Sequence, residues 1–309
     1  MGGPDLLPNP LTTRPVCDYE GSQYQQQFWD RGGREYEDAA ERTALRQLLP
    51  RRGNLALEVG AGAGRLTNEL DRFGRVVLLD YSRTQLQQAQ ERLGRSQRYI
   101  YVAADVYRLP FVAGLFDTVT MVRVIHHIAD PPAALAALRA VLQPDGAFVL
   151  EFANKRNLKA IARYLLRRQA WNPFDPDPIE FAKLNFDFHP RTMRQWLRGS
   201  GFMIRKLRAV SYLRIGRLKR LLPMRLLVGV DALLQPTGAQ LQLSPSVFVR
   251  SDADGSGQAA EPGAFFRCPT CGGLDLVAGD DYLVCRLPEG CGSHWAIRDG
   301  IYDFKNPAG

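Results

Sequence analysis

The sequence lacks any long hydrophobic run. Its longest apolar stretch, LLVGVDALL over residues 226–234, is interrupted by Asp231 and is far shorter than the ~20 residues that a membrane-spanning helix needs. The first residues, MGGPDLLPNPLTTRP, have neither the basic start nor the apolar centre of a secretory signal. We therefore expect a cytoplasmic protein with no transmembrane segment and with a flexible, proline-rich leader over residues 1–33.

Cysteine is also scarce, and four of the 5 cysteines lie near the carboxyl end: Cys268, Cys271, Cys285 and Cys291. In a reducing compartment such a cluster favours a metal site over a pair of disulfides. Two thiolate pairs separated by 13 residues suit a tetrahedral zinc ion. We therefore expect a structural zinc ion, with disulfides or free thiols as the alternatives.

Acidic residues are few in the middle of the chain. Residues 154–225 contain 18 Lys plus Arg and only 4 Asp plus Glu, although the net charge of the whole chain is only +8. The positive charge could meet RNA, an anionic membrane or a phosphorylated small molecule, or it could be a solvated helix face. Aromatic residues such as Trp171, Phe186 and Trp196 are interleaved with it, and no RNA-binding motif is present. We therefore expect these aromatics to line an apolar acceptor pocket.

Predicted strands and helices alternate through the first half of the chain. The strands are expected over 55–59, 75–80, 98–105, 116–124 and 146–153, and the helices over 34–49, 65–73, 83–94 and 132–142. Apolar strands separated by helices of about ten residues indicate right-handed βαβ units and a parallel sheet, the α/β class. Later segments predict helices over 157–168 and 191–202, and strands over 203–215 and 244–250 that flank a leucine-rich helical insert broken at Pro223.

Composition divides the chain into four parts. After the leader, residues 34–250 form the main α/β domain. The polar stretch SDADGSGQAAEPG over 251–263 is a linker, and residues 264–309 form a small cysteine-bearing domain.

A dinucleotide-binding fingerprint, Gly-x-Gly-x-x-Gly, is also missing, because Arg65 occupies its third glycine position. The observed pattern is Glu58 followed by Gly60, Gly62 and Gly64. Alternating glycines allow a sharp turn and bring backbone N–H groups close to a ligand. A carboxylate at the mouth of that loop would repel a pyrophosphate but suits an ammonium group, which indicates a ligand with an amino-acid end and a nucleoside end.

Two further acids follow the next strands. Asp80 ends the second strand, where an acid can accept hydrogen bonds from ribose hydroxyls, and Asp105 ends the third, where it could receive an adenine amino group. Open α/β sheets bind their ligands at the carboxyl ends of the strands, so we expect these acids to share one site.

Five stretches resemble, in order and spacing, the motifs of class I S-adenosylmethionine-dependent methyltransferases, of the methyltransferase type 11 kind. They are LEVGAGAGRL, VVLLDYS, AADVYRLPF, FDTVTMVRVIHHIADP and LQPDGAFVLEFAN. The resemblance covers roughly residues 34–250 and implies a Rossmann-like, seven-stranded sheet whose last strand is antiparallel. It further implies that Glu58 and the glycine loop face the methionine part of the cofactor, Asp80 the ribose, and Tyr81, Asp105 and Val106 the adenine. Arg123 is placed in the same cofactor-facing set, although it could instead hold an acidic substrate group or a carboxylate of the fold.

Methyl transfer from an activated sulfonium needs alignment more than acid–base chemistry, so a base is required only if the acceptor must lose a proton. The candidates are His126 and His127, just past the fourth strand, with His189 as a less favoured alternative. A packing or hydrogen-bonding role is the competing interpretation for each of them.

The cysteine-bearing domain resembles small zinc-ribbon proteins that include activators of RNA and release-factor methyltransferases, notably in WAIRDGIYDF. It departs from them because five residues, instead of two, separate Cys285 from Cys291, and His294 could replace Cys291 as a ligand.

The sequence therefore predicts a methyltransferase with a structural zinc ribbon, acting on a small or lipid-like acceptor. Methylation of RNA or of a translation protein is the first alternative. The second is a non-catalytic cofactor-binding subunit that recruits a partner through its ribbon. The fourth strand is followed by VRVIHH and not by an Asn-Pro-Pro-Tyr-like motif, which disfavours the common base and glutamine N-methyltransferases.

Overall fold

A computed structural model describes residues 14–22, 25–288 and 290–307, without the side chains of residues 26, 30 and 217. Residues 1–13 of the predicted leader lie outside the described residues. The strands are β1 (Gly53–Val59), β2 (Phe73–Asp80), β3 (Tyr99–Ala103), β4 (Phe116–Met121), β5 (Leu142–Ala153), β6 (Ile179–Ala182), β7 (Asn185–Asp187), β8 (Phe202–Val210), β9 (Ser246–Ala253), β10 (Leu276–Ala278), β11 (Tyr282–Cys285), β12 (His294–Arg298) and β13 (Ile301–Asp303).

Eleven of these strands form one sheet in the order β10-β11-β12-β13-β3-β2-β1-β4-β5-β9-β8. Strands β1 to β5 pair in parallel, and β9 is antiparallel to both of its neighbours, β5 and β8. The expected antiparallel last strand of the main domain is therefore confirmed. The expectation of a seven-stranded sheet is wrong, because β13 of the cysteine-bearing domain pairs in parallel with β3 and adds four strands to that edge.

Helices cover both faces of the sheet. They are α1 (Glu35–Leu48), α2 (Arg83–Leu93), α3 (Pro131–Val141), α4 (Leu158–Leu165), α5 (Pro190–Gly199), α6 (Gly216–Leu221) and α7 (Met224–Leu234). Side-chain oxygens cap three of them at Ser82, Asp130 and Asn157, each accepting from a backbone N–H three residues on. None of the helices in the described ranges has both the length and the apolar character of a membrane-spanning helix.

The helix expected over residues 65–73 is wrong, since only a short 3-10 turn, Thr67–Leu70, is present. The Thr67 hydroxyl donates to buried Glu58, and Glu69 accepts from Arg42 and Arg46 of α1. These long-range polar contacts fix the segment in a shape that local helix propensity alone would not produce.

A buried polar cluster joins α1 to α7. The Asp231 carboxylate is fully buried and accepts hydrogen bonds from the Tyr36 hydroxyl, the Tyr212 backbone N–H and the Gln235 side-chain amide. Burial and the Asp231 charge raise the pKa of Tyr36, so its hydroxyl remains a donor. Asp231, which interrupts the longest apolar stretch of the sequence, is therefore buried with hydrogen-bond donors around its carboxylate.

The cysteine-bearing domain packs against the main domain through aromatic side chains. Phe266 forms an isolated β-bridge with Phe111 and stacks on its ring at 5.9 Å. Phe304, just after β13, contacts both Phe266 and Trp295. The edge of β3 and the apolar surface beside it are thus covered by the same chain.

Candidate functional site

A cavity of about 1270 Å³, its open mouth included, lies at the carboxyl ends of β1 to β4. Eight of the eleven residues predicted for cofactor or catalysis line it: Glu58, Gly60, Asp80, Tyr81, Asp105, Val106, Arg123 and His127. The other three, Gly62, Gly64 and His126, lie close by but do not line it.

The glycine loop follows β1, and its three alternating glycines, Gly60, Gly62 and Gly64, all have a positive φ. Gly60 has φ 65°, and a Cβ there would lie 2.1 Å from Val124 Cγ2, so a side chain would collide with the segment after β4. Gly62 donates its N–H to Asp80 Oδ2 at 2.8 Å, and Gly64 faces Leu93 of α2. The second and third glycines therefore shape the loop and orient Asp80.

Two buried carboxylates face the cavity beside that loop. Burial raises the pKa of Glu58 to about 7, although its Oε2 accepts from Thr67 Oγ1 at 2.6 Å. Burial also raises the pKa of Asp80 to about 6 despite bonds from the Gly62 and Ser82 N–H groups. The charged form of such a desolvated acid is stabilised when a cation or a hydroxyl donor enters the cavity.

The opposite end of the cavity is formed after β2 and β3. Asp105 is held by the Tyr107 N–H at 3.0 Å, and Val106 and Tyr81 supply apolar surface. Lys305, from the cysteine-bearing domain, lies 5.1 Å from the Tyr81 ring centroid. An aromatic ring beside a carboxylate suits a flat heterocycle with an exocyclic amine.

Arg123 lines the cavity but is tied to carboxylates of the fold. Its Nε donates to Glu41 at 2.8 Å, and its backbone N–H donates to Glu151 at 3.0 Å with φ 64°. Arg65 also pairs with Glu41, at 2.9 Å. Of the roles that the sequence left open for Arg123, the structure shows a contact with a carboxylate of the fold.

The three candidate histidines have different surroundings. His127 Nδ1 lies 2.8 Å from the Leu184 carbonyl oxygen and Nε2 lies 3.3 Å from the Tyr19 hydroxyl, so the neutral ring donates from Nδ1 and accepts at Nε2. Burial lowers the pKa of both His127 and His126, and Nδ1 of His126 has no hydrogen-bond partner in the described part of the chain. His189 accepts from the Arg191 N–H at the start of α5.

The residues just before α1 also line the cavity, which the sequence did not indicate. We call residues 14–22 and 25–30 the N-terminal strap; Cys17, Tyr19 and Trp29 are among its cavity-lining residues. Arg14 pairs with Asp130 at 2.8 Å, and the Arg65 guanidinium stacks 3.6 Å from the Trp29 ring centroid. The strap has no periodic apolar pattern, so its position beside the cavity could not be predicted from the sequence and follows from its tertiary contacts.

A second groove lies beyond β5 and shares no lining residue with the cavity. Trp171 and Phe181, whose ring centroids are 5.7 Å apart, form its aromatic wall beside basic and acidic residues. One of these is Asp187, whose pKa is raised to about 6 by burial and by Glu151. Of the three aromatics expected to line an acceptor pocket, only Trp171 lines this groove, whereas Phe186 and Trp196 pack around Phe188.

The four clustered cysteines converge in the small domain. All four Sγ atoms lie within 4.8 Å of one another, with 3.6 Å between Cys268 and Cys291 and 3.5 Å between Cys271 and Cys285. These separations exceed a disulfide bond and are close to the ~3.8 Å edge of a tetrahedron with zinc–sulfur bonds of about 2.3 Å. His294 stacks on Tyr282 at 5.4 Å and is not part of the cluster.

Comparison with known proteins places the main domain in a family. Residues 57–150 match the family model described as a methyltransferase domain. A demethylmenaquinone methyltransferase of Clavibacter sepedonicus is 30% identical over 171 residues, which are 51% of this chain and 69% of the relative. An uncharacterized chloroplastic methyltransferase of Arabidopsis thaliana is 32% identical over 157 residues, 46% of this chain, and the chain spans only 44% of that relative's length.

Solved structures agree on the fold. A chain from the Haloferax volcanii complex between the Trm112 methyltransferase activator and a methyltransferase has a TM-score of 0.53 at 16% identity, over 75% of this chain and 96% of that one. A methyltransferase of Mesorhizobium loti has a TM-score of 0.51 at 20% identity, over 70% and 99%. With the ordered acids, the glycine loop and the antiparallel last strand of the main domain, these findings show that the chain belongs to the class I S-adenosylmethionine-dependent methyltransferases.

Proposed function

We propose that this protein transfers a methyl group from S-adenosylmethionine to an apolar, lipid-like acceptor. The observation that carries the cofactor part is the convergence of Glu58, Asp80 and Asp105 on one cavity, each at the end of a different parallel strand. Each acid matches one part of that cofactor: Glu58 its ammonium group, Asp80 its ribose hydroxyls, and Asp105, beside the Tyr81 ring, its adenine amino group.

The residues fit the cofactor as follows. Glu58 would face the ammonium group, and the Gly60 loop, which lines the cavity, would bring backbone N–H groups close to the methionine part. Asp80 would accept from the ribose hydroxyls, and Asp105 from the adenine amino group next to Tyr81. When bound, the cofactor supplies an activated methyl group for in-line displacement.

The protein's own contribution is alignment and removal of a proton. His127 accepts at Nε2 from the Tyr19 hydroxyl, so a proton taken from an acceptor would reach His127 directly or through Tyr19. Because His127 lines the cavity and His126 does not, His127 is the better candidate base. Replacing His127 with Gln should lower kcat while cofactor affinity changes little.

The groove beyond β5 is the candidate acceptor site. It is lined by Trp171, Phe181 and Leu158, and it reaches the hairpin formed by β6 and β7. The Leu184 carbonyl in that hairpin accepts the His127 hydrogen bond, so the same hairpin supplies residues to the groove and contacts a residue that lines the cavity. The aromatic wall offers apolar contact surface to a lipid-like acceptor, and the basic side chains that also line the groove suit a polar or anionic headgroup on it.

The names of the relatives suggest the first acceptors to test. Relatives from Clavibacter sepedonicus, Azotobacter vinelandii and Coxiella burnetii are named as methyltransferases acting on demethylmenaquinone or in ubiquinone and menaquinone biosynthesis. Quinone-ring precursors with an apolar tail are therefore the first class to offer.

Calorimetry tests cofactor binding. Wild-type protein should bind S-adenosylmethionine, and Asp80→Ala should weaken binding by ~1.5–3 kcal/mol because a charge-assisted acceptor is lost. Asp71→Ala is the matched control, since Asp71 is exposed and does not line the cavity. Wild-type protein that binds NAD and ignores S-adenosylmethionine would refute the proposal.

Turnover with a panel of apolar acceptors tests the groove. Trp171→Ala and Phe181→Ala should raise KM or abolish activity, whereas Phe174→Ala should not, because Phe174 is exposed and outside the groove. Methylation of RNA instead of every apolar acceptor would favour the alternative acceptor class.

We also propose that the four cysteines hold one structural zinc ion. Their mutual distances fit tetrahedral coordination, and four protein ligands leave no open position for catalysis. A unit of fewer than about 50 residues gains stability from a metal because it can bury little apolar surface by itself.

A further inference from the structure

One face of the protein combines exposed aliphatic side chains with unpaired arginines. We define the docking face as residues 158–168, which contain α4, and residues 215–226, which contain α6 and the start of α7. Both segments border the second groove, because Arg163 and Arg168 line it from one side and Ile215 and Gly216 from the other. Because α6 is only about 9 Å long, its far end lies within about 9 Å of Gly216, which lines the groove.

The aliphatic part of the docking face is large. Leu165 is 70% exposed, Leu166 63%, Leu221 78% and Leu226 50%. Single exposed apolar residues are ordinary, but several on adjoining elements indicate a surface that is covered in use.

The basic residues alternate with these leucines along both segments. Arg163, Arg167, Arg168, Arg220 and Arg225 are exposed, and within the described ranges none of them forms an ion pair. Two neighbouring basic side chains, Lys219 and Arg214, do form ion pairs.

Lys219 pairs with Glu37 at 2.8 Å and Arg214 approaches it at 3.5 Å. The unpaired arginines of the docking face are therefore exposed to solvent, at the groove or beside it.

We propose that the docking face binds the surface of an anionic lipid bilayer. The leucines would enter the boundary between headgroups and acyl chains, and the arginines would meet the phosphates, as in interfacial amphipathic helices. A nucleic acid would use the same arginines but would gain nothing from four exposed leucines, because it is bound by charge, stacking and polar contacts. Docking brings the groove to the membrane surface, where a lipid-like molecule can enter it.

Vesicle co-sedimentation of the full chain tests this inference without any turnover. Vesicles of phosphatidylcholine alone and vesicles containing one third phosphatidylglycerol are compared at low and high salt. We expect strong binding only to the anionic vesicles and a large loss at high salt. Failure to bind the anionic vesicles would overturn the inference while leaving calorimetric cofactor binding, and hence the proposed activity, intact.

Matched variants separate the two parts of the face. Replacing Arg163, Arg167 and Arg168 with Gln should reduce partitioning roughly 100-fold, since each basic side chain at an anionic surface contributes a factor of about five. Leu165→Ser with Leu166→Ser should reduce it at least about tenfold. The controls are Arg51→Gln with Arg52→Gln and Arg72→Gln, and Leu274→Ser with Leu287→Ser, which remove exposed side chains elsewhere and should leave binding within about twofold.

The leucine variant decides between two kinds of anionic partner. If it binds anionic vesicles and a single-stranded RNA as tightly as the wild type does, the face is a general polyanion surface and the inference is wrong. Cofactor calorimetry on every variant confirms that the fold is intact.

Discussion

Glu58 is the last residue but one of β1 and is almost fully buried, and among the described residues the Thr67 hydroxyl donates the one hydrogen bond that its side chain accepts. Its pKa of about 7 means that a change of pH near neutrality alters its charge. Asp80 follows with a pKa of about 6. The charge inside the cavity therefore changes with pH between about 6 and 7.

Cofactor affinity should fall as the pH is lowered through about 7. An ammonium group favours the charged carboxylate, so below pH 7 binding must first release the Glu58 proton, at a cost of up to tenfold in Kd per pH unit. Asp80 adds a second decline below about pH 6. Calorimetry between pH 5.5 and 8.5 measures both.

Glu58→Gln should bind weakly at pH 8 and lose the decline near pH 7 while keeping the one near pH 6. A wild-type affinity that is constant over this range would show that Glu58 is charged in the free protein or does not meet the ammonium group.

The acids at the strand ends could be predicted from the sequence because each directly follows an apolar strand, and parallel strands end at one edge. The contacts of Arg123 could not, because its partner Glu41 lies on α1, far away in the chain. The place of Tyr19 and Trp29 was equally hidden, since it depends on Arg14, Asp130 and the ring contact with Arg65.

At the scale of elements, α1 and α7 depend on one another through Asp231. Its carboxylate meets a tyrosine hydroxyl of α1, a glutamine of the following turn and a backbone N–H of the segment after β8. Local sequence predicted both helices, but it could not predict that they share this buried acid.

Asp231→Ala should lower the free energy of unfolding by about 3 kcal/mol, because several buried donors lose their acceptor. Asp231→Asn, which keeps one acceptor oxygen, should cost less, and Asp71→Ala should cost under about 0.5 kcal/mol. Urea unfolding provides the measurement. An alanine variant as stable as the wild type would mean that water or relaxed side chains satisfy these donors.

The elements that the sequence predicted well are those with a clear apolar period, such as α2, α3 and β5. The short β6 and β7 hairpin was not predicted, because its residues are mostly exposed and lie in a segment broken by prolines. The segment with the 3-10 turn at Thr67 was predicted as a helix. The prediction failed because the polar side chains of this segment form hydrogen bonds with residues far away in the chain.

At the scale of the molecule, the cysteine-bearing domain is both a partner of the sheet and a neighbour of the cavity. Lys305 lies over Tyr81 and also approaches Glu20 of the N-terminal strap at 3.7 Å. Asp303 lies 3.8 Å from Arg83 at the start of α2. Loss of order in this domain should therefore disturb the residues around Tyr81 and weaken cofactor binding in the cavity.

Elemental analysis should find one zinc per chain. Removing the zinc with a strong chelator, or by Cys268→Ser, should lower Tm and weaken S-adenosylmethionine binding, because β13 and Lys305 lose their support. Cys17→Ser should keep the zinc, since Cys17 lies in the main cavity. Metal-free wild-type protein with an unchanged Tm would exclude a stabilising metal.

The pairing of β13 with β3 also has a consequence in time. Every residue from Ala104 to Gly300 is synthesised between the two strands, which takes roughly 10 to 40 seconds at ordinary rates of translation. During that interval the nascent sheet keeps an open parallel edge at β3, with the backbone groups of Tyr101 to Ala103 available to any extended segment. A ribosome that pauses before β13 would therefore hold a chain whose β3 edge is open to pairing with another chain.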